Sequence, residues 1–162
     1  MTRLGFMVLS LLLACLVLLS AGRSEETKPM ALLWQTAALQ PGQTPLPNKK
    51  PWVIREREIV FDPLALTMIK DAASRPHKPL AVELFDGRAH EIDIVSTITR
   101  LSDLSTIKGT FKQTSRATWS LVVSGQLVNG TFQVGDRLYK VEHVQNGRHR
   151  LLEVDPLKLP PE

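Results

Sequence analysis

Four alternating segments joined by three tight turns occupy residues 117–154 and constrain the fold more than any other feature. In the first segment, ATWSLVVS, the residues Trp119, Leu121 and Val123 fall on one face of a strand. Alternation with a period of two is typical of strands that bury one face, and glycines at tight turns supply the positive φ that such turns need. The pattern predicts an antiparallel meander. The three turns contain Gly125, Gly135-Asp136 and Asn146-Gly147.

A strand, a helix and a hairpin are predicted upstream of the meander. The segment WVIREREIVF predicts a strand, and the Asp62-Pro63 pair after it can cap and open a helix near residues 63–73. Asp86-Gly87 lies between LAVELF and AHEIDIV, which is the arrangement of a two-residue hairpin turn. The residues between this hairpin and the meander, 96–106, are expected to form a loop or a short helical turn.

These segments predict a mainly β fold of the α+β kind, built as an antiparallel β meander, sandwich or partly open barrel. One short helix is expected near residues 63–73, and an N-terminal signal helix is expected before the domain. The predicted organisation is a signal peptide at 1–22, a flexible leader at 23–51 and a β-rich domain at 52–162. Within the leader, the segment MALLWQTAAL could also form a short helical turn or dock onto the domain.

The first 22 residues have the layout of a secretory signal, since Arg3 precedes an apolar run that ends in small residues. Cleavage after Gly22 predicts an exported protein, periplasmic or extracellular. Two other interpretations stay open. Leu12-Leu13-Ala14-Cys15 resembles a lipobox, which makes Cys15 a candidate lipidation site and the protein a membrane-anchored lipoprotein, and the apolar run could also remain as an uncleaved anchor. The leader contains Trp34, which is a candidate partner-binding residue because an exposed tryptophan in a tail often has a surface to bind.

The residue content predicts a protein that is not an enzyme and that needs no cofactor or metal. Cys15 is the only cysteine, so cleavage leaves no thiol for a disulfide, a zinc cage or a nucleophile. The chain contains no H-E-x-x-H, G-x-S-x-G or phosphate-binding loop. His143 and His149 face each other across one predicted hairpin and are interpreted as surface residues. The net charge of +4 is dispersed, which argues against a nucleic-acid partner.

The last part of the chain carries an ordered set of residues: Gly125, Gly130, Gly135, Tyr139, Gly147, His149 and Asp155-Pro156. With this order, the region from Ile59 onward resembles the N-terminal propeptide domain of secreted bacterial zinc metallopeptidases of the reprolysin and peptidyl-Asp endopeptidase kind, without the protease domain. The resemblance implies that the β-rich domain at 52–162 is a propeptide-like, non-catalytic module that covers a secreted zinc protease or assists its folding, as a protease inhibitor or folding helper. Some zinc-protease propeptides place an aspartate on the metal, which makes Asp136 a candidate metal-capping residue. The alternative is an envelope-associated lipoprotein or structural binding domain that kept the fold without a protease partner.

Overall fold

The computed structural model describes residues 30–38, 49–71, 73, 78–100, 103–145 and 147–160. This part of the chain contains ten strands, one α-helix and one 3₁₀ turn. The helix, α1, spans Pro63–Lys70, and the 3₁₀ turn spans Pro156–Lys158. The strands are Ala31–Leu32 (β1), Trp34–Thr36 (β2), Val53–Phe61 (β3), Leu80–Glu83 (β4), Ala89–Arg100 (β5), Leu104–Phe111 (β6), Thr114–Ser124 (β7), Leu127–Val134 (β8), Arg137–Gln145 (β9) and Arg148–Val154 (β10).

The strands form one sheet in the order β1-β4-β5-β6-β7-β8-β9-β10-β3-β2. Strands β4 to β10 follow one another as antiparallel neighbours, so the predicted meander is confirmed and extends upstream. The two strands at the ends of this order, β1 and β2, are consecutive in the chain. Leu33 between them donates its N–H to Ala81 O (2.8 Å) and accepts from Asp62 N (3.0 Å). Residues 31–36 therefore join the β4 side of the sheet to the β3 side, and we call this junction the seam. The sheet is therefore a nearly closed barrel, and the mainly β prediction with its partly open barrel is confirmed.

Aromatic rings fill the interior of the barrel. Trp34 is fully buried and packs edge-to-face on Phe61 and Phe132, with ring centroids 5.5 and 5.2 Å apart. Trp119 stacks on the other side of this cluster, 6.0 Å from Phe132. Its ring lies against the backbone of Gly109, where an added Cβ would be 2.4 Å from Trp119 Cε2. Only glycine leaves room for that ring, so the large aromatic residue and the small one are a matched pair across β6 and β7.

Helix α1 covers one end of the barrel. Asp62 caps it by accepting from Ala65 N (2.9 Å), and Pro63 occupies the first turn, as the sequence predicts. Ala65 and Ile69 are buried in the core, while Leu64 points outward with 81% of its surface exposed. The predicted helix is confirmed, although it ends at Lys70, three residues before the expected boundary.

Two sequence-based expectations need correction. The flexible leader predicted for residues 23–51 is wrong for residues 31–36, because these residues form β1 and β2 and pair with β4 and β3. The loop expected at residues 96–106 is also wrong, since β5 continues to Arg100 and β6 begins at Leu104. The predicted signal helix at 1–22 and Cys15 lie outside the described residues. Within the described ranges, no helix has the length and apolar character needed to cross a bilayer.

Closing the seam with Trp34 generates a stability prediction. We expect Trp34→Ala to lower the free energy of unfolding by about 3–5 kcal/mol, because it removes a fully buried ring and leaves a cavity. Urea denaturation followed by circular dichroism measures this loss. Trp52→Ala is the matched control, since Trp52 is only partly buried beside a smaller cluster, and its loss should be the smaller of the two. A Trp34→Ala variant as stable as the wild-type protein would show that the seam does not hold the barrel.

Candidate functional site

A cleft of about 350 Å³ lies at the barrel end that α1 covers. We call it the end cleft. The end of β3 and helix α1 form its apolar wall, through Val60, Phe61, Pro63 and Leu66. Two turns of the meander form the facing wall, through Gly125 and Gln126 before β8 and Gly147 before β10. His149, the second residue of β10, also lines it.

Exposed aliphatic side chains flank the end cleft. Val60 lines it and is 48% exposed, and Leu64, next to the lining residue Pro63, is 81% exposed. On the facing wall, Leu127 follows Gln126 directly and is 48% exposed. Single exposed aliphatic residues are ordinary on protein surfaces, whereas several around one concave site are typical of binding surfaces.

The charges at the end cleft are paired. Lys70 is the one charged side chain among the described lining residues, and its ammonium group bonds Asp103 Oδ1. The other carboxylate oxygen of Asp103 accepts from Gly125 N (2.8 Å), so the helix and the β7–β8 turn are tied together through Asp103. The hydrogen bond from Lys70 holds the pKa of Asp103 below its usual range, and Asp103 stays ionised at neutral pH. The cleft is therefore electrically neutral, and it has polar side chains, Thr67 and Gln126, beside its apolar wall.

His149 and His143 meet across β9 and β10, as the predicted hairpin requires. Their ring centroids are 5.0 Å apart, and His143 Nδ1 lies 3.4 Å from His149 Nε2. The expectation of two surface histidines is wrong for His149, which is 2% exposed and packs edge-to-face on Phe61 at 4.9 Å. Alternation along β10 explains this burial, since His149 shares the inward face with Leu151.

The hydrogen bonds of His149 define its protonation state. Nε2 accepts from Val128 N (3.1 Å), so the ring proton belongs on Nδ1, which is buried without a hydrogen-bond partner among the described residues. Burial, followed by the nearby His143, lowers the pKa of His149 to about 4, against an opposing influence of the backbone at Gly147 and Gln126. The ring is therefore neutral at physiological pH.

The other candidate residues do not lie in the end cleft. Asp136 is exposed in the β8–β9 turn at the opposite end of the barrel, since β8 runs from Leu127 at the cleft to Val134. The interpretation of Trp34 as an exposed partner-binding residue is wrong, because its ring is in the core and its Nε1 donates to Glu83 O (3.1 Å). Cys15 is outside the described residues. Over the described part of the chain, no three His, Cys, Asp or Glu side chains gather as metal ligands would.

Comparison with known proteins gives a likeness of fold. No protein-family model matches this sequence, and no curated protein matches it. A solved structure with the description "Structure of a chaperone-substrate complex" contains a similar chain, with a TM-score of 0.56 and 12% sequence identity. The match covers 82% of this chain and 94% of that chain. At this identity the likeness shows that the two chains share a fold.

The buried His149 generates a pH prediction. Its folded-state pKa of about 4 lies below the unfolded value near 6.5, so the unfolded state binds more protons between these two pH values. Stability is complete above pH 6.5 and falls as the pH drops toward 4. We expect the free energy of unfolding to fall by about 2 kcal/mol between pH 7 and pH 5 from this group.

Urea denaturation at a series of pH values measures this fall. His149→Gln should remove it, because an amide does not titrate in this range. His90→Gln is the control, since His90 lies at the surface beside Asp86 and its loss should leave the fall in place. A wild-type protein equally stable at pH 7 and pH 5 would contradict the assigned burial of His149.

Proposed function

We propose that this chain is a non-catalytic exported domain that binds another protein through the end cleft. The observation that carries the proposal is the combination of a neutral cleft that has an apolar wall with three exposed residues: Val60 in its lining, and Leu64 and Leu127 next to lining residues in the chain. A volume of about 350 Å³ lies at the lower end of the range for ligand sites and is large enough for apolar side chains of a partner.

Burial of Leu64 is the main energetic gain expected from such a contact. Helix α1 needs an apolar residue on its inner face, which Ala65 and Ile69 provide, but its outer face is exposed to solvent. Burying one leucine side chain contributes roughly 1.5–3 kcal/mol. Val60 lines the cleft, and Leu64 and Leu127 each follow a lining residue directly in the chain, so a partner that extends from the cleft over this end of the barrel can contact all three.

The fold likeness supports a protein partner. The similar chain belongs to a structure described as a chaperone-substrate complex, in which one protein binds another. A nearly closed barrel can present such a cleft on rigid strands and turns. We infer the same general use for the present chain.

We further propose that the partner is a secreted zinc metallopeptidase, which the domain covers or helps to fold. The support is the sequence resemblance to metallopeptidase propeptide domains. His149, one of the residues that carry this resemblance and that no turn requires, lines the end cleft. The proposal therefore places the protease at the cleft, and Asp136 at the opposite end has no part in it. Export, by a cleaved signal peptide or with a lipid on Cys15, belongs to the same proposal.

The binding surface is tested by a pair of leucine substitutions. Leu64→Asp should weaken capture of the partner at least tenfold, because it replaces a buried contact with a charge that must be desolvated. Leu157→Asp is the matched control: Leu157 is 95% exposed, and it lies on the 3₁₀ turn after β10, at the far end of the barrel. Each variant is immobilised and exposed to the secreted fraction of its source, and the captured proteins are quantified by mass spectrometry.

We expect one captured protein to be a zinc metallopeptidase whose recovery depends on Leu64 and not on Leu157. Capture of a different protein with the same dependence would support protein binding and contradict the metallopeptidase. Equal recovery by both variants would contradict the end cleft as the binding site.

The non-catalytic part of the proposal has its own test. Purified protein should hydrolyse neither casein nor fluorogenic peptides, with or without added zinc. Peptide hydrolysis that survives repurification and stops on chelation would refute it.

A further inference from the structure

We infer that the end cleft is controlled by pH, with protonation of His149 loosening the β7–β8 turn and releasing the bound partner. The effect on a partner rests on the proposed function, whereas the opening of the turn is a property of this chain alone. The inference depends on the position of His149 between the cleft wall and His143.

The hydrogen bond from Val128 N to His149 Nε2 cannot survive protonation. Nε2 acts as the acceptor at 3.1 Å, and a proton added there would point one N–H at another. His143 Nδ1 is 3.4 Å from the same Nε2, so the new N–H can point toward this ring nitrogen, whose role as donor or acceptor is set by its tautomer. Protonation therefore replaces an attraction by a repulsion at the first residues of β8.

This hydrogen bond helps to hold the cleft wall. Val128 is the second residue of β8 and directly follows the Gly125–Leu127 turn segment, which carries two of the lining residues. At the start of that segment, Gly125 N is held by Asp103, which also binds Lys70 of α1. At its end, Leu127 and Val128 pair with β7, and Val128 N is held in addition by His149. Loss of the bond to His149 removes the tie between this end of the β7–β8 hairpin and β10, and strand ends beside a turn are expected to open before the centre of a sheet.

Burial disfavours a positive charge on His149 more than the backbone at Gly147 and Gln126 favours it. Strand β9 contributes His143, which would share the unfavourable charge, and α1 contributes the cation Lys70, already paired with Asp103. Strand β3 contributes the ring of Phe61, and its Glu58 is buried and paired with Arg148. No ion pair joins His149 to a carboxylate in the described ranges. A protonated ring gains most by reaching water, which requires the wall to move.

Hydrogen exchange of the purified protein at pH 7 and pH 5 tests the opening. After correction for the intrinsic pH dependence of exchange, the Val128 amide should exchange about 20-fold faster at pH 5. That factor follows from a ring that titrates near 6.5 when open and near 4 when closed. The amide of Leu121, in the middle of β7, should exchange more slowly than Val128 at both pH values.

Each outcome decides the inference. An unchanged Val128 rate would overturn it, and so would equal rates for Val128 and Leu121 at pH 5, because protonation would then unfold the whole barrel. His149→Gln should lose the pH effect, since the amide oxygen can accept from Val128 N without titrating. If His149→Gln does not fold, the ratio of the Val128 exchange rates of the wild-type protein at pH 5 and pH 7 still tests the inference.

Release is measured on the captured partner. Its affinity for the wild-type protein should fall by a similar factor between pH 7 and pH 5, and its affinity for His149→Gln should not change with pH over this range. Faster exchange at Val128 with an affinity that does not change would overturn the release step and leave the proposed function intact. Absence of any partner that depends on Leu64 would instead contradict the proposed function.

Discussion

The structure depends on the pairing of a short N-terminal segment with two strands that lie far apart in the sheet order. Residues 31–36 contact β4 on one side and β3 on the other, and Trp34 fills the barrel beneath them. An open sheet of this size would present two edges with unpaired backbone groups. The segment removes much of both edges at once, and the indole of Trp34 also satisfies the carbonyl of Glu83. With the barrel closed in this way, α1 can cover one end and form the end cleft.

The two ends of the barrel differ in charge, and this difference supports the end cleft as the proposed binding site. At the end opposite the cleft, Arg57 binds Glu83 and two backbone carbonyls, and Arg55 binds Glu153. Both guanidinium groups lie over Phe85, at 4.8 and 5.3 Å from its ring centre. At the cleft end the interior finishes instead in Phe61 and a neutral His149, next to a cavity and exposed aliphatic residues, so this end has apolar surface available for a partner.

Local signals in the sequence predicted the meander, the capped helix and the Asp86-Gly87 hairpin, because each is defined by residues close together in the chain. The pairing of residues 31–36 could not be predicted in the same way, since strands of two and three residues show no periodicity. The extension of β5 was missed because its last residues include serine, threonine and an exposed Ile98, which give no apolar alternation. The two-residue spacing between His149 and Leu151 predicts that His149 is buried, whereas the usual position of histidine on strands predicts that it is exposed. The end cleft needs α1 and two distant turns, so only the folded chain reveals it.

The fold requires the turn glycines, whereas it does not require a leucine at position 64. Gly125, Gly135 and Gly147 have φ values of 57°, 59° and 72°, and their presence follows from the turns alone. A shared order of such glycines is therefore expected of any chain with this meander, whatever it binds. Leu64 is different, because a polar helix former at this exposed position would fit α1 equally well. An aliphatic residue that the fold does not need, beside a cleft that it does not fill, points to a contact outside the chain.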